Sequence, residues 1–286
     1  MVTPKYLTPA SIDQFIESAF LEDVGDGDHS SLSSIPASAQ GRARLIVKGE
    51  GVIAGVQLAQ AIFAKKEISL QNNILIQDGD HVKFGDIALT VGGSIHSILK
   101  AERLVLNCMQ RMSGIATMTA HLNNLISGTS ARLLDTRKTT PNFRLPEKWA
   151  VHIGGGTNHR YGLFDMIILK DNHVDFAGGI SNALKAAKKY ISENNKDLKI
   201  EIETRNIEEV KEACEEGGFH RIMLDNMTPE AMKEAVSFIS GRFETEASGG
   251  VNEKNIREIA ETGVDFISVG ALTHSVKSMD MSLKAF

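Results

Sequence analysis

Cations gather in this chain where apolar runs stop. Leu133-Leu134 leads into Asp135-Thr136-Arg137-Lys138, and Met166 to Leu169 leads into Lys170-Asp171-Asn172-His173. Between the two runs stand Gly154-Gly155-Gly156 and His159-Arg160. Charge at the end of a buried strand is costly without counter-charge, so several cations together imply an anionic ligand. Arg137 and Arg160 can each grip a carboxylate or phosphate through two parallel N–H bonds. Lys138 and Lys170 act as point charges, and a lysine among cations is also a candidate for Schiff-base chemistry. His159 reads as a group that orients the site or binds the ligand, and equally as a satisfied core histidine.

Glu203 and Asp225 end neighbouring predicted strands, so their carboxylates can converge. Two such oxygens suit Mg²⁺, held directly or through water and completed by a substrate's phosphates; the competing reading pairs each carboxylate with Arg or Lys. Ser248-Gly249-Gly250 and Gly270 end two later strands, each ahead of a predicted helix start. Bare backbone N–H groups and the helix dipole favour a phosphate at such places. The glycine triplet lacks the lysine-hydroxyl pair of a P-loop, no GxGxxG follows a strand, and the histidines show no HExxH spacing. The pocket expected is cationic, beside a carboxylate pair and a phosphate cradle. Its ligands should carry a phosphate monoester, a metal-bound polyphosphate and carboxylates.

An alternating pattern positions these groups. Strand candidates are Leu133-Leu134, Met166 to Leu169, Lys199 to Glu203, Arg221 to Leu224, Phe243 to Ala247 and Phe266 to Val269. Helices are expected over Ile180 to Ser192, Ile207 to Glu216, Pro229 to Ser240 and Glu253 to Thr262. That order predicts a parallel α/β structure, in which active groups collect at the C-terminal strand ends. The earlier chain differs. Thr8-Pro9 starts a helix, which stops in the Gly-, Asp- and Ser-rich loop EDVGDGDHSSLSS. The acids there do not have EF-hand spacing. Gly41 to Gly93 reads as antiparallel strands, Ile74 to Gln77 among them, with a helix over Val56 to Ala64. Lys83 sits inside a strand-like run rather than at the hairpin tip where a carrier domain displays its lysine. Ser94 to Ser127 is helical, and Glu102-Arg103 on it reads as a solvated face or as an arginine reaching into a site.

The 286 residues are 42% hydrophobic and 23% charged, a globular composition. A net charge of −5 without a basic tail argues against a nucleic-acid partner. The apolar runs are too short for a membrane span, and the N-terminus lacks the signal-peptide pattern. Cys108 and Cys214 form no metal or redox motif and are expected reduced in the core. A cytoplasmic protein is the expectation.

The run DTRKTTP…R…EKWAV…GGGTNHRYGLFDMIILKDNH, together with EASGGV and SVGALTHS, closely resembles quinolinate phosphoribosyltransferase. The likeness extends from LEDVGDGD to MDMSLKAF. Asn142 stands where the family often has glycine, and Trp149 where tyrosine is frequent; neither is a charged position. The resemblance implies an N-terminal open-faced α/β sandwich followed by an incomplete, TIM-like α/β barrel. It puts the first domain at residues 1–115, with 275–286 returning to it, and the barrel at 116–274. It implies a homodimer or larger homo-oligomer in which Arg103 reaches the neighbouring site. It implies phosphoribosyl transfer from phosphoribosyl pyrophosphate (PRPP) to quinolinate with decarboxylation, in NAD biosynthesis. Quinolinate would then meet Arg103, Thr136, Arg137, Lys138, His159, Arg160 and Lys170. PRPP would meet Lys138, Lys170, Glu203, Asp225, Ser248, Gly249, Gly250 and Gly270, with Mg²⁺ at Glu203 and Asp225. Lys138, Lys170, Glu203 and Asp225 would carry the catalysis. Alternatives are a related transferase acting on nicotinate or another carboxylated ring, a Schiff-base aldolase or decarboxylase using Lys138 or Lys170, and a barrel that binds phosphometabolites without turnover.

Overall fold

The computed structural model describes residues 4–65 and 68–286. Its first elements are α1 (Pro9–Val24), α2 (His29–Ser34), β1 (Gln40–Val47), β2 (Gly51–Val52), α3 (Val56–Ala64), β3 (Gln71–Ile74), β4 (His81–Val82), β5 (Ile87–Ser94) and α4 (Ile95–Leu125). Strand and helix then alternate: β6 (Arg132–Leu134), α5 (Arg144–Ile153), β7 (Ile167–Leu169), α6 (Asp171–Ala177), α7 (Ile180–Glu193), β8 (Ile200–Thr204), α8 (Ile207–Glu216) and β9 (Arg221–Asp225). The chain ends with α9 (Pro229–Ile239), β10 (Glu244–Ser248), α10 (Ile256–Ala260), β11 (Phe266–Ser268), α11 (Ala271–His274) and β12 (Met281–Ala285). Two compact units result. One comprises residues 1–120, 138–155 and 272–286, and the other 121–137 and 156–271.

The first unit holds an antiparallel sheet in the order β12-β1-β5-β3. The last residues of the chain form its edge, with Leu283 opposite Leu45. Leu45, Val47, Leu89 and Val91 are buried. Gln40, Arg42, Gln71, Asn73 and Thr90 line an open, polar depression on the sheet. Helix α4 buries Ala101, Val105, Cys108, Met109 and Met112, at the three- and four-residue spacing of one helical face. Its side chains also accept from backbone in and just after β2: Val52 N–H donates to Thr117 Oγ1 at 2.9 Å, and Ala54 N–H to Ser113 Oγ at 2.8 Å.

Two local expectations need correction here. The edge strand is Gln71–Ile74, not Ile74 to Gln77. An edge strand has one neighbour and one wet side, so Gln71-Asn72-Asn73 serve as well as an apolar run. The loop after α1 also contains a helix, α2, because Asp28 caps it by accepting Ser31 N–H at 3.2 Å.

In the second unit, six strands among the described residues form one parallel sheet ordered β6-β11-β10-β9-β8-β7. From β7 to β11 each strand lies beside its successor, and the first strand, β6, lies beside the last. That is the winding of an α/β barrel left open between β6 and β7, where one bridge joins Leu134 to Thr157. The fold expected from the resemblance is present. Ile200, Ile202, Ile222, Leu224, Ala247 and Ile267, all nearly or fully buried, occupy alternate positions on the central strands. The other alternate set carries charge: Glu201 and Glu203 on β8, Arg221 and Asp225 on β9, Glu244 and Glu246 on β10.

Candidate active site

Because β6 to β11 are parallel, their C-terminal ends share one edge. Thr136 and Arg137 follow β6, and Lys170 follows β7 directly. Glu203 is the penultimate residue of β8, while Asp225 and Ser248 close β9 and β10. Gly270 follows β11. Asp225 is in register with Ser248.

The cations are placed by a buried acid. Asp135, fully buried, accepts the His159 N–H at 2.8 Å and the Asn158 Nδ2–H at 2.6 Å. This ties the 158–160 segment to the end of β6. The Arg160 guanidinium donates from Nη1 to the Met166 carbonyl at 2.9 Å. Burial first, and then the Arg137 charge, hold its pKa below the usual guanidinium range. Two guanidiniums close enough for one to repel the other suit a ligand with more than one negative charge. Lys138 and Arg103 belong to the first unit. Lys138 is exposed, and its carbonyl accepts Thr273 Oγ1–H at 2.9 Å; Arg103 is exposed on α4.

Glu203 is buried, and its Oε1 accepts the Asp171 N–H at 3.2 Å. Its Oε2 lies 3.7 Å from Lys170 Nζ. Burial holds its pKa above the ordinary value; the Asp171 amide and Lys170 oppose the rise, and the Asp225 carboxylate adds to it. Glu203 therefore has a lysine partner and also feels Asp225, so features of both sequence readings coexist. The Asp225 carboxylate accepts Asn226 Nδ2–H at 2.6 Å. An all-oxygen pair of this kind fits a hard divalent cation.

The glycine ends differ from the expectation of two helix N-termini. Val251 to Asn255 separate Gly250 from α10, and α11 after Gly270 is a single turn. Helix dipoles therefore add little. The Ser248-Gly249-Gly250 turn is instead held by Asn252 and Asn255, whose side-chain amides donate to the Gly250 carbonyl at 2.9 and 3.1 Å. Gly249 has φ +93°, and a Cβ there would lie 2.1 Å from Asn226 Oδ1. Only glycine brings the backbone so close to the residue after Asp225.

His159 faces inward. Its Nε2 lies 3.1 Å from Glu201 Oε2 and 3.3 Å from Glu246 Oε2, both glutamates being fully buried. Arg221 Nη1 donates to Glu246 at 3.1 Å. Burial disfavours the charged imidazole, but the bonds to Glu201 and Glu246 outweigh it and raise the His159 pKa to about 9. The Arg160 N–H pulls the other way, because it donates to Nδ1 at 2.7 Å and an imidazolium has no lone pair there. Burial, and next Glu246, raise the Glu201 pKa. At Glu246, His159 and then Arg221 outweigh burial and lower it. Sequence reasoning passed over Glu201 and Glu246. The signal was present, since Glu201 sits two residues before Glu203 in a strand and so shares its face.

Residues 28–113 match the family described as quinolinate phosphoribosyl transferase, N-terminal domain, and residues 115–284 match its C-terminal domain. The chain belongs to the quinolinate phosphoribosyltransferase family. Quinolinate phosphoribosyltransferase [decarboxylating] 1b of Nicotiana tabacum is 47% identical over 284 residues, covering 94% of this chain and 81% of that protein. The probable nicotinate-nucleotide pyrophosphorylase [carboxylating] of Bacillus subtilis is 38% identical, covering 95% of this chain and 92% of that protein. Among solved structures, NadC from Streptococcus pyogenes has a TM-score of 0.90 at 37% identity, with all of both chains covered. The family thus accounts for both units, and Asn142 has φ +60°, a left-handed backbone that asparagine tolerates and glycine favours.

Proposed function

We propose that this protein transfers the phosphoribosyl group of PRPP to the ring nitrogen of quinolinate. Decarboxylation follows, giving nicotinate mononucleotide, pyrophosphate and CO₂ for NAD biosynthesis. One observation carries the reading: two mutually repelling arginines and an acidic pair lie at one end of a parallel barrel, in a chain of this family.

Arg137 and Arg160 take the two carboxylates of quinolinate, with Thr136 and the His159 segment beside them. Ser248, Gly249, Gly250 and Gly270 present backbone to the 5-phosphate. Lys138 and Lys170 face the pyrophosphate, and Glu203 and Asp225 take the ribose hydroxyls and a Mg²⁺ ion, directly or through water. Bound Mg²⁺ would supply positive charge to the leaving pyrophosphate. The ring nitrogen bonds to ribose C1 as the bond to pyrophosphate breaks, through an oxocarbenium-like state. Lys138 and Lys170 stabilise the departing charge. The ring nitrogen is then positive. It accepts the electron pair left when the 2-carboxylate departs as CO₂, and a proton from solvent takes that position. Fixing two anions together against their repulsion supplies much of the rate.

The Schiff-base alternative is disfavoured by Lys170 itself, which pairs with Glu203 rather than sitting in an apolar pocket that would keep it neutral. Nicotinate needs one carboxylate partner, whereas Arg137 and Arg160 supply two. A homodimer in which Arg103 serves the neighbouring site is supported by the exposure of Arg103. Leu163, Phe164 and Phe176 point the same way, being 69, 73 and 91% exposed beside β7. Free, buried Cys108 and Cys214 suit a reducing compartment such as the cytoplasm. Among the described residues no helix is long and apolar enough to cross a membrane.

The test is one incubation with quinolinate, PRPP and Mg²⁺. Nicotinate mononucleotide and CO₂ should appear in equal amounts. Folded protein that releases no CO₂ would sink the assignment, and borohydride trapping of a covalent adduct would favour the Schiff-base class.

A further inference from the structure

Two carboxylates lie beneath the site in a place where the reaction above does not use them. Glu201 is two residues deeper in β8 than Glu203, roughly 7 Å along the strand, and it is fully buried. Glu246 is equally buried on β10. Burying an ion costs several kcal/mol before pairing, and an apolar replacement of a buried pair is often neutral or stabilising. Stability alone therefore gives little reason for acids here. Arg221 neutralises Glu246 at 3.1 Å. Glu201 has no such arginine bond; the polar group it meets is His159 Nε2 at 3.1 Å.

We propose that Glu201 and Glu246 are positioning residues for the dicarboxylate end of the site, acting through the His159 ring on Arg160. This rests on the function proposed above. The chain of contacts is short. The carboxylates stand at ion-pair distance from Nε2, 3.1 and 3.3 Å away. The opposite ring nitrogen, Nδ1, holds the Arg160 amide at 2.7 Å. The His159 amide is itself held by Asp135. The Arg160 backbone is thus fixed from a ring that is hydrogen-bonded at one edge and drawn by two carboxylates at the other, and the guanidinium it carries is aimed from there. A buried ring without its acceptors would tilt, and an error of about 1 Å in a substrate-positioning cation costs on the order of a hundredfold in rate.

The same three residues place ligand atoms within 4.8 Å of one another, as a metal site would. The hydrogen bonds argue against that use. With Nδ1 accepting from Arg160, the ring proton sits on Nε2, and a second proton would leave it there. Nε2 then has no lone pair to give a metal, and Arg221 already supplies a cation to Glu246.

Glu201→Met tests this in the full-length protein, because methionine fills a similar volume and removes both charge and acceptor. The variant should fold but melt below wild type, because one partner of a buried pair is removed while His159 and Glu246 stay. Its KM for quinolinate should rise about tenfold or more, while its KM for PRPP stays within about twofold. Adding Glu201→Met to His159→Gln should change the quinolinate KM little further, since the glutamate acts through the ring. An unchanged quinolinate KM, an equal rise in both KM values, or additive losses in the double variant would overturn the inference. If Glu201→Met does not fold, the ¹⁵N spectrum of the wild-type imidazole decides. A protonated, downfield-shifted Nε2 is expected, and an unprotonated Nε2 overturns the anchoring. Absence of wild-type turnover would instead indict the proposed reaction, and the ring spectrum would still judge the anchoring.

Discussion

Among single residues, the cations are distinguished by what surrounds them. Burial and then the Arg137 charge hold the Arg160 pKa below its usual range, and a bound anion would relieve that strain. Arg137→Ala should therefore raise the KM for quinolinate more than that for PRPP; equal losses in steady-state kinetics would remove the assigned role. Lys138→Ala should chiefly lower kcat, because a point charge on the leaving group matters most in the transition state. His159 makes a pH prediction. Its pKa in the fold, about 9, lies above the 6.5 of the free side chain, so the folded state holds the extra proton more tightly. The resulting stability is complete below about pH 6.5 and is lost as pH rises through about 9, up to about 3 kcal/mol. The groups facing the ring are Glu201, Glu246 and the Arg160 amide. Urea unfolding of wild type and His159→Gln at pH 6.5 and 9.5 should show the decline in wild type alone; equal slopes would mean that the Arg160 amide keeps the ring neutral.

At the scale of elements, the loop after Lys138 is held by a buried acid on α5. Glu147, fully buried, accepts from Arg111 Nε at 3.1 Å and Nη2 at 2.9 Å, and from Thr140 N–H at 3.0 Å and Oγ1–H at 2.9 Å. Arg111 also donates to the Val276 carbonyl at 2.9 Å and to the Thr273 carbonyl, and Thr273 holds the Lys138 carbonyl. Glu147→Gln leaves Arg111 without its counter-charge and should cost about 3–5 kcal/mol, read by denaturant unfolding. Turnover should fall in proportion to the unfolded fraction and to any slack at Lys138. The end of α5 imposes a second constraint. A Cβ at Gly154 would meet the Ala116 carbonyl oxygen at 2.5 Å and Thr119 Cβ at 2.8 Å. Gly154→Ala should destabilise by roughly 1–3 kcal/mol, because the obstacle is backbone on α4 and cannot rotate away. The element boundaries that sequence misplaced, β3 and α2, were decided by a neighbour strand and by one capping carboxylate. Hydrophobic periodicity registers neither.

For the whole molecule, the proposed assembly is testable by mixing. If Arg103 serves a neighbour's site, Arg103→Ala and Arg137→Ala subunits, each nearly silent alone at quinolinate concentrations well below their raised KM, should regain up to about a quarter of wild-type activity under those conditions when refolded together. No recovery would place Arg103 outside the site. The edge strand β12 binds the chain's end to the first sheet, and Phe286 packs under the guanidiniums of Arg42 and Arg44 at 4.9 and 5.7 Å. Removing residues 281–286 should lower the melting temperature by exposing β1 as a new edge. By itself the sequence determined the barrel's alternation, the helices Val56–Ala64 and Ile207–Glu216, the family, and the cations and acids at the strand ends. Period, punctuation and residue chemistry are local, and a strand end marks itself wherever it lies. Only the tertiary structure decided what those groups face. Glu203 and Glu201 read alike in the chain, yet one meets Lys170 and Asp225 while the other meets a histidine from 42 positions earlier. Which acid meets which cation depends on strand order and register, set by long-range pairing that no local pattern encodes.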